Sequence, residues 1–317
     1  MRYLPLGTSG LLVSAIGLGC NNFGGRLDAI GTRAVVDAAI EAGITLFDTA
    51  DGYGGRGASE TLLGEVLAGR RDDVVLATKF GHQRTDMGYG AAAGAKGGRA
   101  YIRRAVEESL RRLRTDHIDL LQLHTPDPVT PISETLTALD ELVRAGKVRY
   151  IGHSNFTGWQ LAEAAHVARE QGTVPFVSAQ NHWSLLERDV EREVVPAARH
   201  YGVGVLPYFP LANGLLTGKV RRGRPVPENS RLASRDGYIT DEKLDRVEAL
   251  AKWGAEAGRS LLEIAIGGLA AQPGCSSVIA GAMTPEQVRA NAAAGAWVPT
   301  ADELAAINEI VPPPAAA

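Results

Sequence analysis

Apolar residues along this chain fall into two alternating rhythms: short, largely apolar runs, and longer stretches with a single apolar face. Ile44 to Phe47 is such a run and stops at Asp48; Val74 to Lys79 and Ile118 to His124 each close on one ionisable residue. Largely apolar runs of this length read as strands buried on both faces. Three buried strands, each delivering one polar group at its C-terminal end, is how a parallel α/β barrel builds an active site.

In chain order the pattern predicts a β-hairpin over Arg2 to Ile16 around the turn Gly7-Thr8-Ser9-Gly10, plugging or capping one barrel end. Ile16 to Cys20 is the first barrel strand. Thr32 to Ala42 is its helix, with Val35, Val36, Ala39 and Ile40 inward and Gly43 as the stop. After Asp48 the next helix starts at Ser59, read as its N-cap, and buries Leu62, Leu63, Val66 and Leu67. His82 to Gly98 is rich in Gly and Ala and reads as flexible, and Arg99 to Arg114 is a basic amphipathic helix.

The alternation continues with a helix over Ile132 to Ala145, a strand Val148 to Gly152, a helix from near Thr157, and a strand Phe176 to Gln180. A helix over Arg188 to Tyr201 and a strand Val203 to Pro207 follow. A long insertion, Tyr208 to about Arg259, contains a helix from Asp241. Helix Leu261 to Ala271, strand Ser277 to Ala280, helix Pro285 to Ala293 and helix Ala301 to Ile310 complete the chain before a PPPAAA tail. Eight strand and helix pairs in this order predict a single (β/α)8 TIM barrel domain over residues 1–317, with an N-terminal β-hairpin and extra C-terminal helices. A doubly wound sheet is the alternative. It calls for a G-x-G-x-x-G turn, and Gly17-Leu18-Gly19 lacks the third glycine in register.

Composition narrows the class of function. A charge of -3 with a pI near 6.2 provides no general basic field for nucleic acid or membrane surfaces. Cys20 and Cys275 are too few and too far apart for a disulfide framework, and the start MRYLPLGTSG has no secretory pattern. The expectation is a cytoplasmic protein acting on a small molecule, with no nucleic-acid or membrane partner; oligomeric state is left open.

The plain reading of FDTADGYG alone has Asp48 capping a helix and Tyr53 as a loop aromatic. With Lys79 and His124 added, a chemistry becomes legible. A phenol's ordinary pKa is too high for easy proton exchange at neutral pH, and a neighbouring ammonium lowers it. Lys79 supplies that ammonium, Asp48 keeps it charged, and His124 orients a carbonyl oxygen. No nucleophile is evident, so a carbonyl taking this proton needs a hydride from a partner. Two other chemistries use the same residues: Lys79 as a Schiff-base aldolase, or His124, His153 and His182 with Asp48 as a metal hydrolase. These histidines lack paired-ligand spacing, and no metal is assigned.

The segments FDTADGYG, ATKF, LLQLHTPD, IGHSNF, SAQNHWSLLER, PLANGLLTGK and IAGAMTPEQVRAN together resemble the aldo-keto reductases from end to end. The resemblance implies NADPH, with NADH as the alternative, bound extended without a Rossmann fold and reducing an aldehyde or ketone. It implies Tyr53 as general acid, tuned by Lys79 and Asp48, with His124 positioning the carbonyl. Ser154, Asn155 and Gln180 then hold the nicotinamide carboxamide, and Tyr208 stacks on the ring. Gly19 and Cys20 fall on the cofactor side, and Leu211, Gly214, Leu215 and Lys219 lie in the segment closing over the pyrophosphate. Gly281, Ala282 and Thr284 lead into a helix whose free N–H groups suit a phosphate; Gln287 and Asn291 face adenosine. Asn21, Asn22, Phe23, His82 and Trp183 are candidate substrate-lining residues. Many relatives carry Lys or Arg where this chain has Gly281 to Met283, so Arg289, or Arg221, Arg222 and Arg224, are candidates to replace that grip on a 2′-phosphate. The alternative within the same fold is a catalytically weak NADPH-binding regulatory subunit, like the channel-associated β subunits.

Overall fold

The structure, a computed structural model, describes residues 1–315 except 224, 227–229 and 236. Two short strands, β1 (Tyr3–Pro5) and β2 (Leu12–Ser14), pair antiparallel as the predicted hairpin. The strands that follow are β3 (Ile16–Gly19), β4 (Leu46–Asp48), β5 (Val75–Phe80), β6 (Ile118–Leu123), β7 (Val148–Ser154), β8 (Ser178–His182), β9 (Gly204–Tyr208) and β10 (Val278–Gly281). All eight are parallel, and β10 pairs with both β9 and β3, closing the barrel.

Helices α1 (Ala29–Glu41), α2 (Ala58–Val66), α3 (Arg99–Leu113), α4 (Ile132–Arg144), α5 (Gly158–Gln171) and α6 (Val194–Tyr201) link successive strands. The insertion after β9 adds α7 (Asp241–Ala257) ahead of α8 (Leu261–Ala270), and α9 (Pro285–Ala294) and α10 (Ala301–Ile310) end the chain. Leu185, Leu216, Leu250, Ile264, Trp297 and Ile307 form a second apolar cluster in which the insertion and α10 share.

Side chains alternate in and out along each strand, and this period of two sets the floor of the site. Leu46, Ala77, Leu120 and Leu206 point inward and pack with Leu6 and Val13 of the hairpin region, so that end of the barrel is stoppered. Two residues further along the same inward face come Asp48, Lys79, Gln122 and Tyr208. An apolar plug thus lies beneath a polar layer.

Two local expectations need correction. Ser59 is not a helix cap: α2 is preceded by Gly57 with no side-chain cap, and buried Ser59 donates to the Cys20 carbonyl (2.8 Å) and shares a hydrogen bond with Thr49 (2.8 Å). The helix expected over Arg188 to Tyr201 starts only at Val194, after a 3₁₀ turn at Asp189–Glu191. At the start of the stretch read as flexible, the Lys96 ammonium donates to the carbonyls of His82, Gln83 and Thr85 (2.5, 2.9 and 2.8 Å) and anchors that turn.

On β7, His153 is fully buried, stacked on Phe156 (4.3 Å between ring centres) and edge-on to Phe176, with neither ring nitrogen bonded among the described residues. Burial pushes its pKa down to about 3. The unfolded chain therefore takes up a proton below its free value near 6.5 while the folded chain does not, so stability is whole above that value and falls toward pH 3. At about 1.4 kcal/mol per unit, His153→Val is expected to gain roughly 2 kcal/mol relative to the wild type between pH 7 and pH 5. Urea unfolding at the two pH values measures this, and a gap that stays constant refutes it.

Candidate active site

The polar layer is built around one ion pair. Lys79, with no exposed surface, donates to Asp48 Oδ2 (2.6 Å), to the Thr49 carbonyl (3.0 Å) and to Tyr53 Oη (3.3 Å). The other oxygen of Asp48 accepts from two amides, Gln180 Nε2 (2.8 Å) and Gln122 Nε2 (3.2 Å). A buried ion pair holds its charges only when the remaining lone pairs and protons are matched, and here they are. Gln122 went unassigned in the sequence; its signal was a lone amide inside an apolar strand, two residues before His124 and so on the same face.

Burial pulls the Lys79 ammonium down, but Asp48 and Tyr53 together lift it above its ordinary value, so it stays charged. For Tyr53 the expected lowering is overturned. Burial raises the phenol, Lys79 pulls it back, Asp48 offsets part of that pull, and the net direction is up. A phenol so placed keeps its proton at neutral pH, which is the state a donor needs. His124, its ring 5.7 Å from that of Tyr53, is held well below its ordinary pKa by burial and then by Lys79 and His82, and is therefore neutral.

Above this floor opens a cavity of about 1430 Å³. Asp48, Tyr53, His82 and His124 face it, with Gly19, Cys20, Asn21 and Asn22 along one wall. Opposite, Ser154, Asn155, Gln180 and Tyr208 form a connected set. Tyr208 Oη donates to Asn155 Oδ1 (2.8 Å), Asn155 Nδ2 donates to Ser154 Oγ (2.9 Å) and to the His124 carbonyl (3.0 Å), and Ser154 Oγ donates to the Gln180 carbonyl (2.8 Å). Asn155 takes a left-handed φ of 63° to reach these partners, a conformation asparagine tolerates better than most residues.

Further along, Leu211, Gly214 and Lys219 line the cavity from the loop after β9, while Gly281, Ala282, Gln287 and Asn291 line it from β10 and α9. Phe209, Ala212 and Asn213 in that loop all have positive φ (54°, 46° and 58°), a clustering of strain typical of ligand-closing segments.

Several assigned residues lie elsewhere. Trp183 is buried away from the cavity and gives its indole N–H to Glu191 (2.8 Å); Phe23 is fully buried in the layer between barrel and helices. Leu215 is turned into the second apolar cluster. Thr284 caps α9 by accepting from the Gln287 amide, and the Gln287 side chain accepts from the Met283 amide (2.8 Å), so two of the N–H groups at this helix start are engaged. Arg222 is held by Asp241, Asp245 and Glu248, Arg289 by Glu41, and Arg221 donates to the Gly218 carbonyl. Arg224 lies outside the described residues.

Three cations that line the cavity, Arg26, Arg84 and Arg231, carried no local signal. Arg26 follows the first strand, and Arg231 reaches back from the insertion to Asn21 Oδ1 and Asn22 Oδ1, 2.8 Å each. Among the described residues no three His, Cys, Asp or Glu side chains converge as metal ligands would.

Residues 15–312 match the sequence profile of the aldo/keto reductase family. The chain belongs to this family. The uncharacterized oxidoreductase YrpG of Bacillus subtilis (strain 168) is 39% identical over 99% of this chain and 97% of its own length. The aldo-keto reductase YhdN of the same organism is 34% identical over 98% and 94%. A probable voltage-gated potassium channel subunit beta of Oryza sativa subsp. japonica is 35% identical over 92% and 90%. An aldo/keto reductase barrel with relatives named as oxidoreductases places this chain among oxidoreductases. No helix among the described residues is long and apolar enough to cross a membrane.

Proposed function

We propose that this member of the family is an NAD(P)H-dependent reductase of small aldehydes or ketones in which Tyr53 hands the proton to the carbonyl oxygen. The observation that carries the reading is the contact of one buried ammonium, Lys79, with both Asp48 and the Tyr53 hydroxyl at the floor of a large open cavity. A neutral His124 beside the phenol directs an N–H or a lone pair toward the same oxygen without competing as a stronger acid.

The residues present fit a nicotinamide dinucleotide. Asn155 spends its amide hydrogens on His124 and Ser154, and Gln180 spends its own on Asp48 and Gln122 (3.3 Å), so their carbonyl oxygens keep lone pairs for the N–H groups of a carboxamide. Tyr208, anchored through its hydroxyl, presents a ring for stacking, and Lys219, Arg26 and Arg231 bring positive charge to the lining. When bound, the reduced nicotinamide supplies a hydride to the carbonyl carbon. Met283, Gln287 and Asn291, which line the end assigned to adenosine, carry no charge themselves, so NADH stands beside NADPH as cofactor.

The similarity to a protein named as a channel β subunit favours a second reading, a cofactor-binding subunit with little turnover. One experiment separates the two: Kd values for NADPH and NADH by fluorescence quenching, then loss of reduced-nicotinamide absorbance with 4-nitrobenzaldehyde and a panel of other carbonyls. Turnover supports the reductase. Tight binding with no turnover on any carbonyl sinks it.

A further inference from the structure

The turn after β5 carries a second histidine whose hydrogen bonding is fixed from behind. The Arg84 backbone amide donates to His82 Nδ1 (3.2 Å), and Thr85 Oγ1 lies 3.3 Å from the same nitrogen. A backbone N–H only donates, so Nδ1 is an acceptor and the neutral ring carries its proton on Nε2. Burial, followed by the charges of Lys96 and Arg84, lowers the His82 pKa and favours that neutral form. The three carbonyls gripped by Lys96 hold this turn in place.

His82 lines the cavity, and its ring stands edge-on to His124 with 4.6 Å between centres. Among the described residues no group engages Nε2. Two neutral imidazoles in contact thus border one space, beside the Tyr53 hydroxyl.

We propose that His82 is a specificity-determining residue: its Nε2–H donates to a second oxygen of the substrate, favouring carbonyl compounds oxygenated on the neighbouring carbon, 2-oxoaldehydes and 2-hydroxyaldehydes. The proposal rests on the reductase reading above. Oxygens on adjacent carbons lie close enough together to be shared by two donors whose rings touch, one oxygen to the His124 and Tyr53 pair and the other to His82. A substrate lacking the second oxygen leaves the His82 donor unmatched, and such a loss discriminates more strongly than a missing methylene does.

The test compares kcat/KM for phenylglyoxal and phenylacetaldehyde in the full chain, using whichever of NADPH and NADH binds more tightly. Wild type, His82→Phe and His82→Asn are measured, and comparison between variants cancels each aldehyde's intrinsic reactivity. His82→Phe, which keeps an aromatic edge against His124 but has no donor, is expected to lose about tenfold on phenylglyoxal. The loss on phenylacetaldehyde is several-fold smaller, so the ratio of the two kcat/KM values falls, and His82→Asn, which retains an N–H, recovers most of the phenylglyoxal loss. Equal losses on both aldehydes, or none on either, overturn the proposal. A wild-type protein that reduces neither aldehyde, nor any other carbonyl, brings down the reductase reading and the proposal with it.

Discussion

Replacing Tyr53 with phenylalanine is expected to lower kcat for aldehyde reduction about a thousandfold, the scale of a lost general acid, and to leave the dinucleotide Kd nearly unchanged. The ring still fills its place beside Lys79, whose ammonium sits 4.9 Å from the ring centre, so only the proton donor is removed. Because burial lifts the phenol above its ordinary value of 10.0, wild-type kcat is expected to stay level from pH 7 to 9 as far as Tyr53 decides it. Turnover in the phenylalanine variant equal to that of the wild type would remove Tyr53 from its role.

Asp48→Ala is expected to destabilise the fold by about 3–5 kcal/mol, because it leaves a buried ammonium without its carboxylate. Lys79 is wholly enclosed, and the Gln122 and Gln180 amides lose their shared acceptor at the same time. Urea unfolding at neutral pH measures the loss. The double change Asp48→Leu with Lys79→Met, which removes both charges and keeps apolar volume, is expected to restore most of the stability and none of the activity. A loss below about 1 kcal/mol in Asp48→Ala would mean that the pair is solvated and the floor of the site is not dry.

Much of this was legible in the chain because the inward face of a strand repeats every second residue. Asp48, Lys79 and His124 end apolar runs, and barrel closure brings such ends together. Gln122 obeys the same rule but was hidden by its apolar neighbours. Beyond the strands the rule gives out: Trp183 and Phe23 follow strand ends, yet Glu191 and the helix layer draw them away from the cavity. Arg231 sits far down an insertion whose return to Asn21 and Asn22 is a tertiary contact with no sequence spacing to announce it. The direction of the Tyr53 shift is not legible in the motif for a related reason. The cation next to it could be named from the motif, whereas the degree of enclosure, which outweighs the cation, depends on the whole fold.

The bidentate use of Asn155 has a consequence for how the two halves of the site can diverge in evolution. One end of its amide fixes Tyr208 and the other fixes the main chain of His124. Loss of this side chain loosens the aromatic platform and the His124 main chain together, so on the reductase reading affinity and turnover should fall as a pair. Variation that retunes only one of them has to arise at other positions, such as the turn that carries His82.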